Sequence, residues 1–143
     1  MEDKQVSFNI YLAGPIGEID IKEAASWRET AEESLEEAGY ITLNPLRGKD
    51  INNPEVKVMY DPAWIVERDL EDIDKADILL VDGSRKVPMV GTPMEIRYAW
   101  ERGKKIFTFG KSFRNSYWMR YHTTKFFDTL EDALIYLKDL PAF

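Results

Sequence analysis

Short apolar runs alternate with longer stretches in which hydrophobic residues recur every three or four positions, and this alternation organises the chain. Ser7-Phe8-Asn9-Ile10-Tyr11-Leu12-Ala13 predicts a first strand, ended by Gly14-Pro15, which cannot continue a central ladder. From Ile21 to Ala38, Ala24, Trp27, Ala31, Leu35 and Ala38 fall at helical spacing, and Gly39 supplies the stop. Tyr40 to Leu43 predicts a short second strand. Asn44-Pro45 then opens a polar, aperiodic stretch that runs to Pro62.

The pattern resumes with a helix from Pro62 or Ala63 to Lys75 and an apolar strand from Asp77 to Val81. A loop from Asp82 to Gly91 leads to a helix from Pro93 to Arg102, closed by Gly103. Lys104 to Phe109 and Lys125 to Phe127 predict two further strands, and Leu130 to Leu140 a final helix. Strands this short and apolar, alternating with helices, imply a parallel sheet covered on both faces. With right-handed crossovers the expected fold is a single α/β domain over residues 1–143, doubly wound and flavodoxin-like, around a mainly parallel five-stranded sheet.

Composition narrows the chemistry. The chain has 143 residues, 44% of them hydrophobic, enough for one sizeable core. It has no cysteine and a lone histidine, His122, so thiol nucleophiles, a serine–histidine triad and a histidine-rich metal site are disfavoured. Catalysis would then run on carboxylates and hydroxyls. A formal charge of −7 disfavours a nucleic acid polymer as ligand but not a small molecule. No apolar run approaches a membrane span, and Met1-Glu2-Asp3-Lys4-Gln5 lacks a signal-peptide pattern, so a cytoplasmic location is expected.

Two carboxylates stand out. Glu95 lies in Gly91-Thr92-Pro93-Met94-Glu95-Ile96, at a strand–loop–helix junction where ligands of open α/β sheets collect. Thr92 and Glu95 also have the spacing of a capping box, with Pro93 suited to the first helical position, so a purely structural role is open. Asp69 projects inside the arc set by Ile65, Val66, Leu70 and Ile73, whereas Glu67, Arg68, Glu71, Asp72, Asp74 and Lys75 fall outside it. A carboxylate facing the core must meet a donor, a cation or a polar cavity, such as Arg68 or Arg97, a loop, or a ligand pocket. Burial beside another carboxylate would let Asp69 hold a proton, while the helix dipole favours an ionised Glu95, giving an acid and a nucleophile.

Tyr11, three residues before Gly14-Pro15, could reach the top of the sheet and hold the nucleophile; a plain core role is the alternative. Ala13-Gly14-Pro15-Ile16-Gly17 could expose amides to an anion, but it lacks a full phosphate-loop signature. Asp77 and Asp82 read as strand-edge residues, Asp82-Gly83 as a turn and Asp61 as a helix cap.

Ile10-Tyr11-Leu12-Ala13-Gly14-Pro15, then Glu67-Arg68-Asp69-Leu70 with Ala76-Asp77, then Gly91-Thr92-Pro93-Met94-Glu95-Ile96-Arg97-Tyr98-Ala99 together resemble the nucleoside 2-deoxyribosyltransferase family. The likeness runs from the first strand to about Phe109, with the motifs in the family's order. It implies that Glu95 attacks the anomeric carbon of the deoxyribose, Tyr11 orients it and Asp69 handles the proton on the base. Substrate contacts would come from Gly14, Pro15, Ile16, Met89, Gly91 and Thr92, with no metal or organic cofactor. The partners implied are a nucleoside or nucleotide and a free nucleobase.

The resemblance also departs from the family's branches. Met89 stands where members that exchange free bases tend to carry an aspartate and the related deoxynucleotide N-glycosidases a serine that contacts the 5′-phosphate. Gly17 stands where the glycosidases place an arginine. The family further implies a homo-oligomer whose sites are completed across the interface, with Asn115, Ser116 and Tyr117 as candidates and Tyr117, Trp118 and Tyr121 as the contact. Hydrolysis of a nucleoside 5′-monophosphate is the near alternative, with Arg28, Arg85 or Lys86 available for the phosphate. A non-catalytic nucleotide-binding module is the more distant one.

Overall fold

The computed structural model describes residues 8–48 and 61–140, and its elements alternate as the hydrophobic pattern requires. In chain order they are β1 (Asn9–Ala13), α1 (Ile21–Glu37), β2 (Ile41–Leu43), α2 (Pro62–Lys75), β3 (Ile78–Asp82), α3 (Gly91–Glu101), β4 (Lys105–Phe109), α4 (Tyr117–His122), β5 (Lys125–Phe127) and α5 (Leu130–Asp139). Most of the polar stretch after Asn44 lies outside the described residues, as do Ser7 and the first residues of the chain.

Local chemistry starts the helices. Asp20 accepts from the Lys22 amide at 2.8 Å to begin α1, and Asp61 accepts from the Ala63 amide at 2.8 Å to begin α2, with Pro62 at the first helical position. Thr129 caps α5 through the Asp132 amide, where Glu131 and Asp132 complement the positive end of the helix. After α1 the chain turns at Gly39 with φ 98°, a conformation that disfavours any side chain with a Cβ.

The sheet is five-stranded and parallel throughout, in the order β2-β1-β3-β4-β5. This is the flavodoxin-like order, in which the connections leave β1 and β3 in opposite directions and open a crevice beyond their carboxyl ends. Leu12 pairs with Leu80 and Ala13 with Val81 at that crevice.

Strand alternation sorts the core into two layers. Ile10, Leu12, Ile78, Leu80, Phe107 and Phe109 face α1 and α5, against Trp27, Ala31, Leu35, Ala133, Leu134 and Leu137. Tyr11, Ala13, Leu79, Val81 and Ile106 face α2 and α3, against Ile73, Ala76, Ile96 and Ala99. Truncating a central residue such as Leu80 to alanine would cost about 2–5 kcal/mol. The same parity aims Tyr11 at the side of the sheet from which Asp69 and Glu95 descend.

Several expectations are corrected. Helix α3 begins at Gly91 rather than Pro93, with Val90 as its N-cap and no side-chain cap hydrogen bond, so the Thr92–Glu95 capping box does not form. Val66 is exposed, and the buried face of α2 takes in Asp72 instead, whose carboxylate is paired with Arg47 at 2.6 Å. Arg47 comes from the turn after β2, a partner that helical periodicity cannot reveal. Asp82 ends β3 as a buried residue rather than lying at its edge. Helix α4 was not predicted, because six residues rich in exposed aromatics carry no amphipathic period. Among the described residues, no helix is long and apolar enough to cross a membrane.

Candidate active site

Three elements bring their side chains to the crevice. Tyr11, fully buried on β1, donates its hydroxyl to Glu95 Oε2 on α3 at 2.5 Å. This is the short distance expected of an O–H donor facing a carboxylate. Burial, then the charges of Glu95 and Asp69, push the Tyr11 hydroxyl well above the ordinary phenol value, so it stays a donor at any physiological pH. Glu95 sits in the first turns of α3 and serves no cap there.

Asp69 reaches the same place from α2. A cavity of about 150 Å³ is lined by Gly14, Pro15, Ile16, Gly17, Glu18, Asp69, Gly91, Thr92 and Glu95. The structure therefore gathers Gly14, Pro15, Ile16, Asp69, Gly91, Thr92 and Glu95 around one space, with Tyr11 bonded to Glu95. Met89 is half-buried and Asn115 exposed, and neither lines this cavity. Glu18 was not singled out in the sequence; it follows Gly17 on the loop after β1 and no periodicity marks it.

The loops beneath the cavity are stitched tightly. Asp82 accepts from the Ser84 amide at 2.9 Å and from Arg85 Nε at 3.1 Å, and the Ser84 hydroxyl donates to it at 2.5 Å. Ser112 donates its amide to the Gly83 carbonyl and its hydroxyl to the Ser84 carbonyl. A Cβ on Gly110 would sit 2.4 Å from the Ser84 backbone, so the turns after β3 and β4 are in direct contact.

Two of the three cations considered for a phosphate, Arg28 and Arg85, are engaged elsewhere, whereas Lys86 is exposed. Arg28 is fully buried and donates to the carbonyls of Leu12, Ala24 and Gly14 at 3.2, 2.9 and 3.0 Å. Arg85 is spent on Asp82 and on Glu23, at 2.9 Å from the latter. Among the described residues, no group of three or more His, Cys, Asp or Glu is disposed to hold a metal ion.

A second concavity lies beside α3. Arg97, Tyr117, Trp118, Tyr121 and His122 line a groove of about 400 Å³, continued by a smaller one of about 220 Å³ that includes Pro93, Ile96 and Met119. His122 is held between the Trp118 carbonyl at Nδ1 and Arg97 at Nε2. An arginine only donates, so at this contact Nε2 accepts from Arg97. Tyr117, Trp118 and Tyr121 are exposed, as are Val90 and Met94 nearby in sequence to the cavity residues.

The family model for nucleoside 2-deoxyribosyltransferases matches residues 10–131. The chain belongs to the nucleoside 2-deoxyribosyltransferase family. Membership makes it an N-glycosyl transferase or N-glycosidase. Solved structures share the fold. A 2-deoxyribosyltransferase from Bacillus psychrosaccharolyticus is 21% identical, with 93% of this chain and 92% of that one covered and a TM-score of 0.65. One from Leishmania mexicana is 20% identical, covering 92% and 97%, with a TM-score of 0.68. A CMP N-glycosidase from Clostridium botulinum is 19% identical, covering 90% and 97%, with a TM-score of 0.63. No curated protein sequence matches the chain.

Proposed function

We propose that this deoxyribosyltransferase-family enzyme cleaves the N-glycosidic bond of 2′-deoxynucleosides by double displacement and transfers the deoxyribose to a second base. Glu95 attacks C1′, the bond from C1′ to the base nitrogen breaks, and the bonding pair leaves with the base. Asp69 delivers a proton to that base. An acceptor base then attacks C1′ of the glycosyl ester, Glu95 departs as carboxylate and the proton returns to Asp69.

The observation that carries this reading is the hydrogen bond from Tyr11 to Glu95 at the edge of a cavity that Asp69 also lines. A donor that keeps its proton at physiological pH holds one carboxylate oxygen in place, which orients the other for in-line attack. The alternative of a non-catalytic binding module needed Glu95 as a helix cap, and no side chain caps α3.

The charge of the cavity favours an unphosphorylated substrate. Among the described residues its lining carries Glu18, Asp69 and Glu95 and no lysine or arginine. A 5′-phosphate dianion would meet repulsion there, whereas a neutral nucleoside would not. The exposed aromatic groove along α3 and α4 supports self-association, with Asn115 and Tyr117, next to that groove, offered to the neighbouring copy's site.

Incubation with deoxyadenosine and free cytosine tests the reaction. Formation of deoxycytidine is the expected result. Base release from a deoxynucleoside monophosphate, unaffected by any acceptor base, would replace transfer with nucleotide hydrolysis.

A further inference from the structure

We propose that Arg28 is a positioning residue of the site: its buried guanidinium fixes the Gly14 wall of the cavity and supplies the positive field that keeps Glu95 ionised. The proposal rests on the assignment of Glu95 as nucleophile.

The side chain is costly and would not be expected for packing alone. Arg28 is fully buried on α1, in a layer otherwise built from Trp27, Ala31 and Leu35, where an aliphatic residue would pack without desolvating a charge. Its hydrogen bonds go to three backbone carbonyls, which orient the group but leave its full charge unneutralised. Burial lowers it from 12.5 to about 10, so it remains a cation at neutral pH. The carboxylates that favour its charge come from three different elements: Glu95 on α3, Asp82 on β3 and Asp69 on α2. Asp82 is already tied to Ser84 and Arg85. That leaves the cavity carboxylates, which share their cavity with the Gly14 that Arg28 holds, as the counter-charges for Arg28.

The mechanical part is equally local. Two of the three carbonyls, Leu12 and Gly14, bracket the end of β1, and Gly14 lines the cavity. A Cβ on Gly14 would stand 2.9 Å from the Asp82 Cβ, 3.3 Å from the Trp27 ring and 3.5 Å from Arg28 Nη2. The Trp27 ring itself lies 4.7 Å from the guanidinium carbon. The corner is thus clamped between the guanidinium, the indole and β3, and the rigid guanidinium fork holds both carbonyls at once through Nε and Nη2.

The test reads Glu95 directly. Protein labelled with carboxyl-¹³C glutamate is titrated by NMR, the Glu95 signal being the one absent from Glu95→Gln, in wild type, Arg28→Met and Arg28→Lys. Arg28→Met should raise the Glu95 midpoint by about one pH unit, a ten-fold change in its ionisation constant. Arg28→Lys keeps the charge and should leave that midpoint within about half a pH unit while raising KM about five-fold, with kcat nearly unchanged, through the loosened wall. An unmoved midpoint in a folded Arg28→Met overturns the proposal. If Arg28→Met does not fold, Arg28→Lys decides alone: an unchanged KM, or a midpoint displaced by a full pH unit, overturns it. A purely structural arginine would lower the melting temperature of both variants without moving Glu95. Because the titration needs no turnover, a shifted midpoint in a protein that transfers no sugar would retire the nucleophile and leave the electrostatic coupling standing.

Discussion

Tyr11 and Glu95 lie 84 positions apart in the chain, and the hydroxyl of one donates to the carboxylate of the other at 2.5 Å. The bond joins the second layer of a buried strand to the first turns of a helix two crossovers later. Strand parity determines it on one side, since Tyr11 shares a face with Ala13, Leu79 and Val81. On the other side, the packing of Ile96 and Ala99 of α3 against the same layer sets it. A hydrogen bond to a charged group contributes about 1.5–3 kcal/mol, enough to fix one rotamer of the carboxylate.

Glu95→Gln should abolish transfer, with activity down by at least about a thousand-fold, because an amide cannot form the glycosyl ester. Melting should change little. The amide oxygen can still accept from Tyr11, and α3 loses no cap because Glu95 provides none. Steady-state assays beside calorimetry check both halves; a folded variant that retains turnover removes Glu95 from the mechanism.

Tyr11→Phe should lower kcat by roughly ten- to a hundred-fold with a smaller effect on KM, in proportion to the lost charged hydrogen bond. The phenol also has a signature of its own. Its folded value lies well above the ordinary 10.0. The associated stability is therefore complete below pH 10 and is lost as pH rises through the folded value. Absorbance of phenolate, taken as wild type minus Tyr11→Phe, should stay flat through pH 10 in the folded protein and appear near pH 10 once denaturant is added. Phenolate at pH 10 in the native protein would contradict the burial argument.

Asp69→Asn separates acid catalysis from binding. On natural deoxynucleosides the variant should lose about 10²–10⁴-fold in kcat, the usual scale for a proton donor. On a deoxyriboside of a nitrophenol, whose leaving group needs no proton, the loss should stay below about ten-fold. Equal losses on both substrates would show that Asp69 positions the sugar rather than protonating the base.

Trp118→Glu addresses the aromatic groove. Placing a carboxylate at an exposed, stacked tryptophan should dissociate a self-association contact without disturbing the core, since the ring packs chiefly on His122. Sedimentation should show a smaller species and assays a fall in turnover. An unchanged sedimentation coefficient would place the subunit contact elsewhere.

Much of this arrangement is written in local patterns. The apolar runs around Leu12, Leu80 and Phe107 mark buried strands because both faces of a parallel sheet are covered. Asp20, Asp61 and Thr129 announce helix starts because their side chains cap locally. Asp69 stood out as a charge among apolar positions, and Glu95 by its place after a strand. What escaped depends on partners distant in sequence. Asp72 read as a solvent-facing charge because Arg47 is contributed by a turn 25 residues earlier. The Thr92–Glu95 spacing suggested a cap, but α3 starts earlier, at Gly91, with Val90 as its N-cap. Arg28 read as a candidate for a substrate phosphate, beside Arg85 and Lys86. Two of its three carbonyl partners, Leu12 and Gly14, lie at the end of β1, a relationship no periodicity encodes.

The most direct test of the account is mass spectrometry of the protein after incubation with a 2-fluoro-2-deoxy nucleoside, in which fluorine slows release of the glycosyl enzyme. One fluorodeoxyribosyl group on the peptide containing Glu95, absent from Glu95→Gln, is the predicted result. An adduct on another residue, or none with several bases while natural deoxynucleosides are still turned over, would contradict it.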